Sequence, residues 1–165
     1  MVKGSFSDET LYAVNIDRAW KAFVIDAHNL LPKILPEIIS QAVVVEGDGG
    51  IGTVYNIDFT QAVSEFRFVK HRVVGLDSDC YKIEDAVVDG GYIGSRLKSY
   101  IFVQKFEGKF EEEGEGSTVV KLTVEYETLD EKPLSVEEQK GLIEQIKVFR
   151  KAVEEYLQAH PTAYV

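Results

Sequence analysis

The most constraining feature of the sequence is a long amphipathic segment near its C-terminal end, residues 136–159. Ser135 and Glu138 form an S-x-x-E capping box, the pattern that begins a helix. Apolar residues then recur at three- and four-residue steps and form one stripe along a helix of roughly 36 Å at 1.5 Å per residue. Because the opposite face is polar, this helix must lie across another layer. The stripe consists of Leu142, Ile143, Ile146, Phe149, Val153, Tyr156 and Leu157.

The partner layer is predicted to be an antiparallel β-sheet. Short alternating segments rich in β-branched and aromatic residues are separated by turns rich in Gly and Asp, and such short connections join antiparallel neighbours. Two short helices are expected after the first strand, one starting at Arg18 with Asp17 as its cap and one over residues 30–35. The fold class is therefore α+β in one domain, residues 1–165. The seven predicted strands are residues 6–14, 39–46, 53–60, 65–76, 80–88, 96–106 and 117–127.

Alternation along these strands assigns side chains to the two faces of the sheet. The outward face is expected to carry Glu65, Arg67, His71, Lys82, Glu84, Lys98, Ser99, Lys121 and Glu125. The inward, aromatic-rich face is either a filled core or a hollow lined by rings, and alternation alone does not separate the two. It is expected to carry Phe66, Phe68, Ile83, Val87, Tyr100, Phe102, Phe106, Val120, Leu122, Val124 and Tyr126.

A glycine-rich stretch joins two of the predicted strands: Glu46, Gly47, Asp48, Gly49, Gly50, Ile51 and Gly52. Its glycines fit the spacing G-x-G-x-x-G of nucleotide-binding loops, which requires a helix to follow the loop. A strand-like alternation follows instead, and no Lys-Ser/Thr pair closes the loop, so the Walker pattern also fails. We therefore interpret the stretch as a tight structural connection.

Composition disfavours several classes of function. A net charge of −10 disfavours nucleic-acid binding, which depends on Lys and Arg. No apolar run is long enough for a membrane span. The one cysteine, Cys80, cannot form an internal disulfide and favours a reducing compartment. The three histidines and Cys80 lack metal-ligand spacing, so neither a metal nor a cofactor is expected.

The glycine-rich stretch between two strands also resembles that of the plant PR-10 family, the Bet v 1-type, birch-pollen-allergen-like proteins. Residues 26–33 (DAHNLLPK) resemble the family's segment between its short helices, and residues 89–91 (DGG) its E-G-G turn. Residues 151–164 resemble its C-terminal signature in a monocot-like form. The resemblance implies a curved seven-stranded sheet wrapped around the long helix and enclosing a cavity. It also implies a cytoplasmic carrier, storage or defence-related protein for amphipathic metabolites of the hormone, flavonoid or sterol class, expected as a monomer with a weak dimer as the alternative.

Candidate ligand-binding residues follow from this resemblance and from the face assignment. Asp85 stands where many relatives have an aromatic residue, and we expect it to orient a ligand carrying a hydrogen-bond donor, balanced by Arg72. His28 is expected at the entrance of the cavity. The alternatives are a local partner for Asp85 or a position at the solvated mouth of the cavity, and a surface position for His28. The full set is His28, Leu31, Phe59, Phe66, Phe68, Arg72, Ile83, Asp85, Val87, Tyr100, Phe102, Gln104, Ile146 and Phe149.

Two catalytic alternatives remain open. Norcoclaurine synthase has this fold, but its lysine and carboxylate positions correspond to Ile83 and Phe102 here, and its tyrosine–glutamate pair falls near Val69 and His71. That catalytic set is absent, while another reaction, using Asp85, stays open. Ribonuclease activity has been ascribed to the family, and Glu154 and Tyr156 match two residues invoked for it. A third acidic position holds Lys98, and the lysine expected after the loop is Tyr55.

Overall fold

The computed structural model describes residues 1–165 and confirms the predicted α+β architecture. Seven strands form one curved antiparallel sheet in the order β1-β7-β6-β5-β4-β3-β2, so β1 and β2 lie at its edges. Every predicted strand is present, with ends that differ from the prediction by up to three residues. The strands are β1 Lys3–Tyr12, β2 Ile39–Glu46, β3 Val54–Phe59, β4 Phe68–Asp77, β5 Lys82–Gly90, β6 Leu97–Lys109 and β7 Ser117–Thr128.

The short helices after β1 begin earlier than predicted. α1 covers Ile16–Trp20, and its cap is Asn15 rather than Asp17, because the Asn15 side chain accepts hydrogen bonds from the amides of Asp17 and Arg18. The chain continues as one π-helical turn, Lys21–Ile25, before α2, Ala27–Ile34. α2 therefore starts three residues before the predicted helix.

The long helix α3, Val136–Ala159, has the predicted bounds and capping box. Glu138 closes the box and also accepts a 2.7 Å hydrogen bond from Arg96 Nε. These donors lower the pKa of Glu138 to about 2. Neither α3 nor any other helix is long and apolar enough to cross a membrane.

Most of the buried apolar side chains form one cluster at the end of the sheet covered by α1 and the π-helical turn. Trp20 and Phe23 pack against Phe106 of β6 with ring centroids 5.3 and 6.1 Å apart. From α3, Val153 and Leu157 complete the cluster at 1% and 0% exposure. This end of the fold is closed by the protein's own side chains.

Arg18 fastens the C-terminal segment over this cluster. Its guanidinium is buried, donates to Glu115 at 2.8 Å, and also donates to the carbonyl oxygens of Leu157, His160 and Ala163. The guanidinium therefore supplies additional donors to carbonyls of the last turn of α3 and of the segment that follows it.

The predicted assignment of β4 side chains to the inner and outer faces of the sheet was wrong. Residues 61–67 form a loop, so the alternation counted from Phe66 does not continue into the strand, which starts at Phe68. As a result Phe68 and Arg72 lie on the outer face, and His71, predicted outside, faces inward with Val69 and Val73. The side chain of Arg72 is 49% exposed and lies 3.8 Å from Glu46.

The glycine-rich stretch is a strand-to-strand turn that uses its own amides. The Gly49 amide donates to Thr53 Oγ1 at 2.9 Å, and the Gly52 amide donates to the carbonyl of Val73 at 2.7 Å. Gly47 has a positive φ of 94°, and a Cβ there would lie 2.7 Å from the Thr53 Cα. Both the backbone angle and the close approach require glycine, which agrees with a structural connection.

Candidate functional site

A cavity of about 380 Å³ lies between α3 and the concave face of the sheet. Of its 30 lining residues 23 are hydrophobic, so its wall is mainly apolar, as in small-molecule sites. Ile25 and Val148 belong to the lining and are also 44% and 46% exposed. The cavity therefore opens to solvent between the π-helical turn and α3.

Most of the side chains predicted to bind a ligand do line this cavity. Three predicted residues are absent from its wall: Phe68 and Arg72 for the reason given above, and His28. The His28 ring packs instead on Tyr55, with centroids 5.1 Å apart. The predicted residues that line the cavity are Leu31, Phe59, Phe66, Ile83, Asp85, Val87, Tyr100, Phe102, Gln104, Ile146 and Phe149.

Five polar lining residues were not among the predicted ones: Tyr55, Glu65, His71, Gln145 and Arg150. Tyr55 and His71 stack at 5.3 Å. His71 was assigned to the wrong face because of the 61–67 loop, whereas Tyr55 precedes that loop and has the strand parity of Phe59, which was a usable signal. Arg150 had a usable signal, because it lies four residues after Ile146 and three before Val153 and so falls on the apolar stripe of α3. Glu65, assigned to the outer face, also lines the cavity from the loop.

One end of the cavity is aromatic. Phe59 at the end of β3 packs against Phe66 of the 61–67 loop at 5.4 Å, and its ring is parallel to that of Phe149 on α3 at 6.3 Å. Phe66 in turn meets the edge of Tyr92 at 5.3 Å. Of these rings, Phe59, Phe66 and Phe149 line the cavity, so three separate chain segments supply flat apolar surfaces at this end.

Asp85 is the one acidic side chain in the β-sheet wall of the cavity. It lies on β5 opposite Val73 of β4 and Phe102 of β6, so its cross-strand neighbours are apolar. Its Oδ1 is buried and has no hydrogen-bond partner in the protein. Burial raises the pKa of Asp85, while the nearby positive charges of His71 and Arg150 oppose that rise.

Arg150 carries a buried positive charge across the cavity from Asp85. The guanidinium donates one hydrogen bond, to Gln104 Oε1 on β6, and lies over the rings of Phe23 and Phe106 at 4.9 and 5.3 Å. Burial lowers its pKa to about 10, and the negative charge of Asp85 counteracts part of that effect. The two charges influence each other without forming an ion pair.

Two other polar lining residues have partners. The Tyr100 hydroxyl accepts a hydrogen bond from the Tyr92 amide at 3.1 Å, and burial raises the pKa of Tyr100 to about 12. Gln145 donates to the Tyr92 hydroxyl at 3.3 Å. Asp85 and Arg150 are the two buried charged groups of the lining, and both have hydrogen-bonding capacity that a guest could use.

The residues matched to ribonuclease activity have structural partners. Glu154 is buried, accepts a 2.8 Å hydrogen bond from the amide of Ala13, and pairs with Lys151 at 2.9 Å. The Tyr156 ring stacks on His160 at 4.2 Å. Both side chains thus fix α3 and its C-terminal turn, and neither lines the cavity.

Comparisons with known proteins agree with this architecture. Residues 1–160 match the model of the pathogenesis-related protein Bet v 1 family. Pathogenesis-related protein 1 of Asparagus officinalis is 36% identical over 165 residues, which is 100% of both chains. The major strawberry allergen Fra a 1.08 of Fragaria ananassa is 34% identical and aligns over 98% of this chain and 99% of its own.

Solved structures give the same result for the fold. The crystal structure of Ara h 8.0201 superposes with a TM-score of 0.78 at 26% identity, over 96% of this chain and 100% of its own. Norcoclaurine synthase from Thalictrum flavum, in complex with dopamine and hydroxybenzaldehyde, has a TM-score of 0.73 at 21% identity, over 96% and 88% of the two chains. The second likeness concerns the fold alone. With its sheet, its long helix and its whole-length sequence match all in agreement, this chain belongs to the Bet v 1 family of pathogenesis-related proteins.

Proposed function

We propose that the chain, as one domain over residues 1–165, binds small amphipathic or hydrophobic plant metabolites in its internal cavity. Hormone, flavonoid and sterol classes are the candidates, and the role is that of a carrier, storage or defence-related protein. The observation that carries this proposal is the 380 Å³ apolar cavity that opens to solvent beside α3. The exposed, unpaired Cys80 fits action in the reducing cytoplasm.

The test is native mass spectrometry of the purified protein against a panel of such metabolites. We expect a one-to-one complex with at least one class. The control variant is Val69→Phe, which places a ring into the cavity from β4. Binding by the natural protein and loss of binding by the variant supports the proposal. Failure of the whole panel, or undiminished binding by the filled variant, contradicts it.

A catalytic role in the same cavity is the second candidate, because Asp85 is an unpaired carboxylate on the cavity wall and its pKa is raised by burial. The positions that correspond to the lysine and carboxylate of norcoclaurine synthase, Ile83 and Phe102, line the cavity and are apolar. Any reaction would therefore use other groups. The same mass spectra decide between the candidates, since turnover produces new masses with time while a carrier returns its ligand unchanged.

Nucleic acid is disfavoured as a partner by the net charge of −10 and by the structural engagement of Glu154. An RNA hydrolysis assay with a heat-inactivated control tests that option, and we expect no difference between the two samples.

A further inference from the structure

The unpaired carboxylate of Asp85 calls for a physical explanation. Buried polar atoms in proteins nearly always have hydrogen-bond partners, and a buried charge without one is costly. Here Oδ1 has no partner, and the residues opposite it on both neighbouring strands, Val73 and Phe102, cannot supply one. The structure therefore holds an acceptor on the cavity wall with its hydrogen-bonding capacity unused.

A donor with unused capacity lies near this acceptor. Gln104 pairs with Ile83 in the sheet, which places it diagonally from Asp85 on the same face, at a typical separation of about 7–8 Å. Gln104 holds the guanidinium of Arg150 through a single hydrogen bond, which leaves other N–H groups of that side chain unused. An acceptor and a donor thus face the same part of the cavity without contacting each other.

The chemistry of these two groups discriminates between ligands. A hydroxyl donates its proton to a carboxylate and accepts from a guanidinium with its lone pairs, so it satisfies both. A carboxylate group on the ligand can accept from Arg150 but is repelled by Asp85. An ammonium group can donate to Asp85 but is repelled by Arg150, and by His71 when that ring is protonated.

We propose that the Asp85 and Arg150 pair selects ligands that carry a neutral alcohol or phenol, with the hydroxyl bound between the two side chains. This rests on the proposed function, since it specifies what the same cavity accepts. The apolar body of the ligand extends toward the aromatic end, where Phe59, Phe66 and Phe149 offer flat surfaces. In the bound state the polar group therefore lies at the charged pair and the apolar body fills the rest of the cavity.

A set of four probes on one two-ring scaffold tests this: 2-naphthol, 2-methylnaphthalene, naphthalene-2-carboxylate and 2-naphthylmethylammonium. Their affinities are measured by isothermal titration with the full chain. A purely apolar cavity prefers 2-methylnaphthalene, because burying an unpaired hydroxyl is costly. We expect the opposite order, with 2-naphthol the tightest by about tenfold, as one hydrogen bond to a charged group would give.

The variant that isolates the pair is Asp85→Leu, with Asp79→Leu in the exposed 77–80 turn as a control of equal charge change. In Asp85→Leu we expect 2-naphthol to lose its advantage and naphthalene-2-carboxylate to gain affinity, because Arg150 then acts without an opposing charge. Asp85→Asn keeps an acceptor oxygen and should retain part of the preference. The control should bind all four probes as the natural protein does.

The outcomes separate this inference from the proposed function. If the probes bind but 2-methylnaphthalene is the tightest, or if the 2-naphthol preference survives in Asp85→Leu, the hydroxyl selection is wrong and the cavity function stands. If none of the four probes binds, the inference is overturned, and the metabolite panel decides separately whether the cavity function stands.

Discussion

Two segments of α3 cover the same sheet with opposite results. The C-terminal segment packs Val153 and Leu157 into a cluster that also contains Trp20 and Phe106, with almost no exposure. The middle of the helix presents Ile146 and Phe149 to an open cavity. The difference is the additional layer, since α1 and the π-helical turn pack their rings into the cluster under the C-terminal segment. An apolar stripe alone therefore does not decide whether the space beneath it is filled.

The largest contrast should appear on truncating one phenylalanine in each region. Phe106→Ala removes a fully buried ring and should lower the free energy of unfolding by about 3–5 kcal/mol, whereas Phe149→Ala, already open to the cavity, should cost about 2 kcal/mol or less. Urea denaturation of both variants measures this. Equal losses would mean that the cavity is as well packed as the cluster.

Enlarging a valine in each region should reduce stability in the packed cluster and should reduce ligand binding in the cavity. Val153→Phe overfills the packed cluster and should cost about 1–3 kcal/mol. Val69→Phe extends into the cavity and should cost less, while it abolishes ligand binding. Thermal unfolding and ligand titration of both variants provide the comparison. A Val69→Phe protein that unfolds as readily as Val153→Phe would contradict the existence of free space.

The buried charge of Asp85 should give a smaller effect that depends on pH. Because its folded-state pKa is raised above its ordinary value of 3.8, the folded protein binds more protons than the unfolded chain between those two values, and stability falls as pH rises through that window. Asp85→Asn should therefore be more stable than the natural protein by about 1 kcal/mol at pH 7. At pH 3, where Asp85 is protonated, the two should unfold alike. A destabilised variant at pH 7 would show that the carboxylate has a stabilising partner.

The charge of Glu138, which is partly exposed, should have a smaller effect on stability, and its pH dependence should be opposite to that of Asp85. The pKa of Glu138 is lowered from 4.5 to about 2, so its contribution is present above about pH 4.5 and is lost as pH falls toward 2. Its pair with Arg96 is partly exposed, and Glu138→Gln should cost about 1 kcal/mol or less at pH 7. Urea titrations at pH 7 and pH 3 measure the difference, which should be smaller at pH 3. A cost that is the same at both values would show that charge is not the cause.

Much of the fold was predictable from local patterns. The bounds of α3 follow from a capping box and a regular stripe, and the strands follow from alternation between Gly and Asp turns. Prediction failed where the chain departs from regular geometry. The loop at residues 61–67 reversed the phase of β4, which exchanged His71 and Arg72 between the faces. The cap of α1 was misplaced because Asn15 and Asp17 are both good capping residues two positions apart.

The sequence by itself determined the layers, the glycine turn and the position of Asp85 on the inner face, because these depend on neighbours along the chain. Only the tertiary structure decided that the space under the middle of α3 is empty, that Arg150 lies across it, and that Asp85 has no partner there. These are properties of distances between segments far apart in sequence. Periodicity specifies which way a side chain points, but the volume left between two layers depends on everything that packs around them.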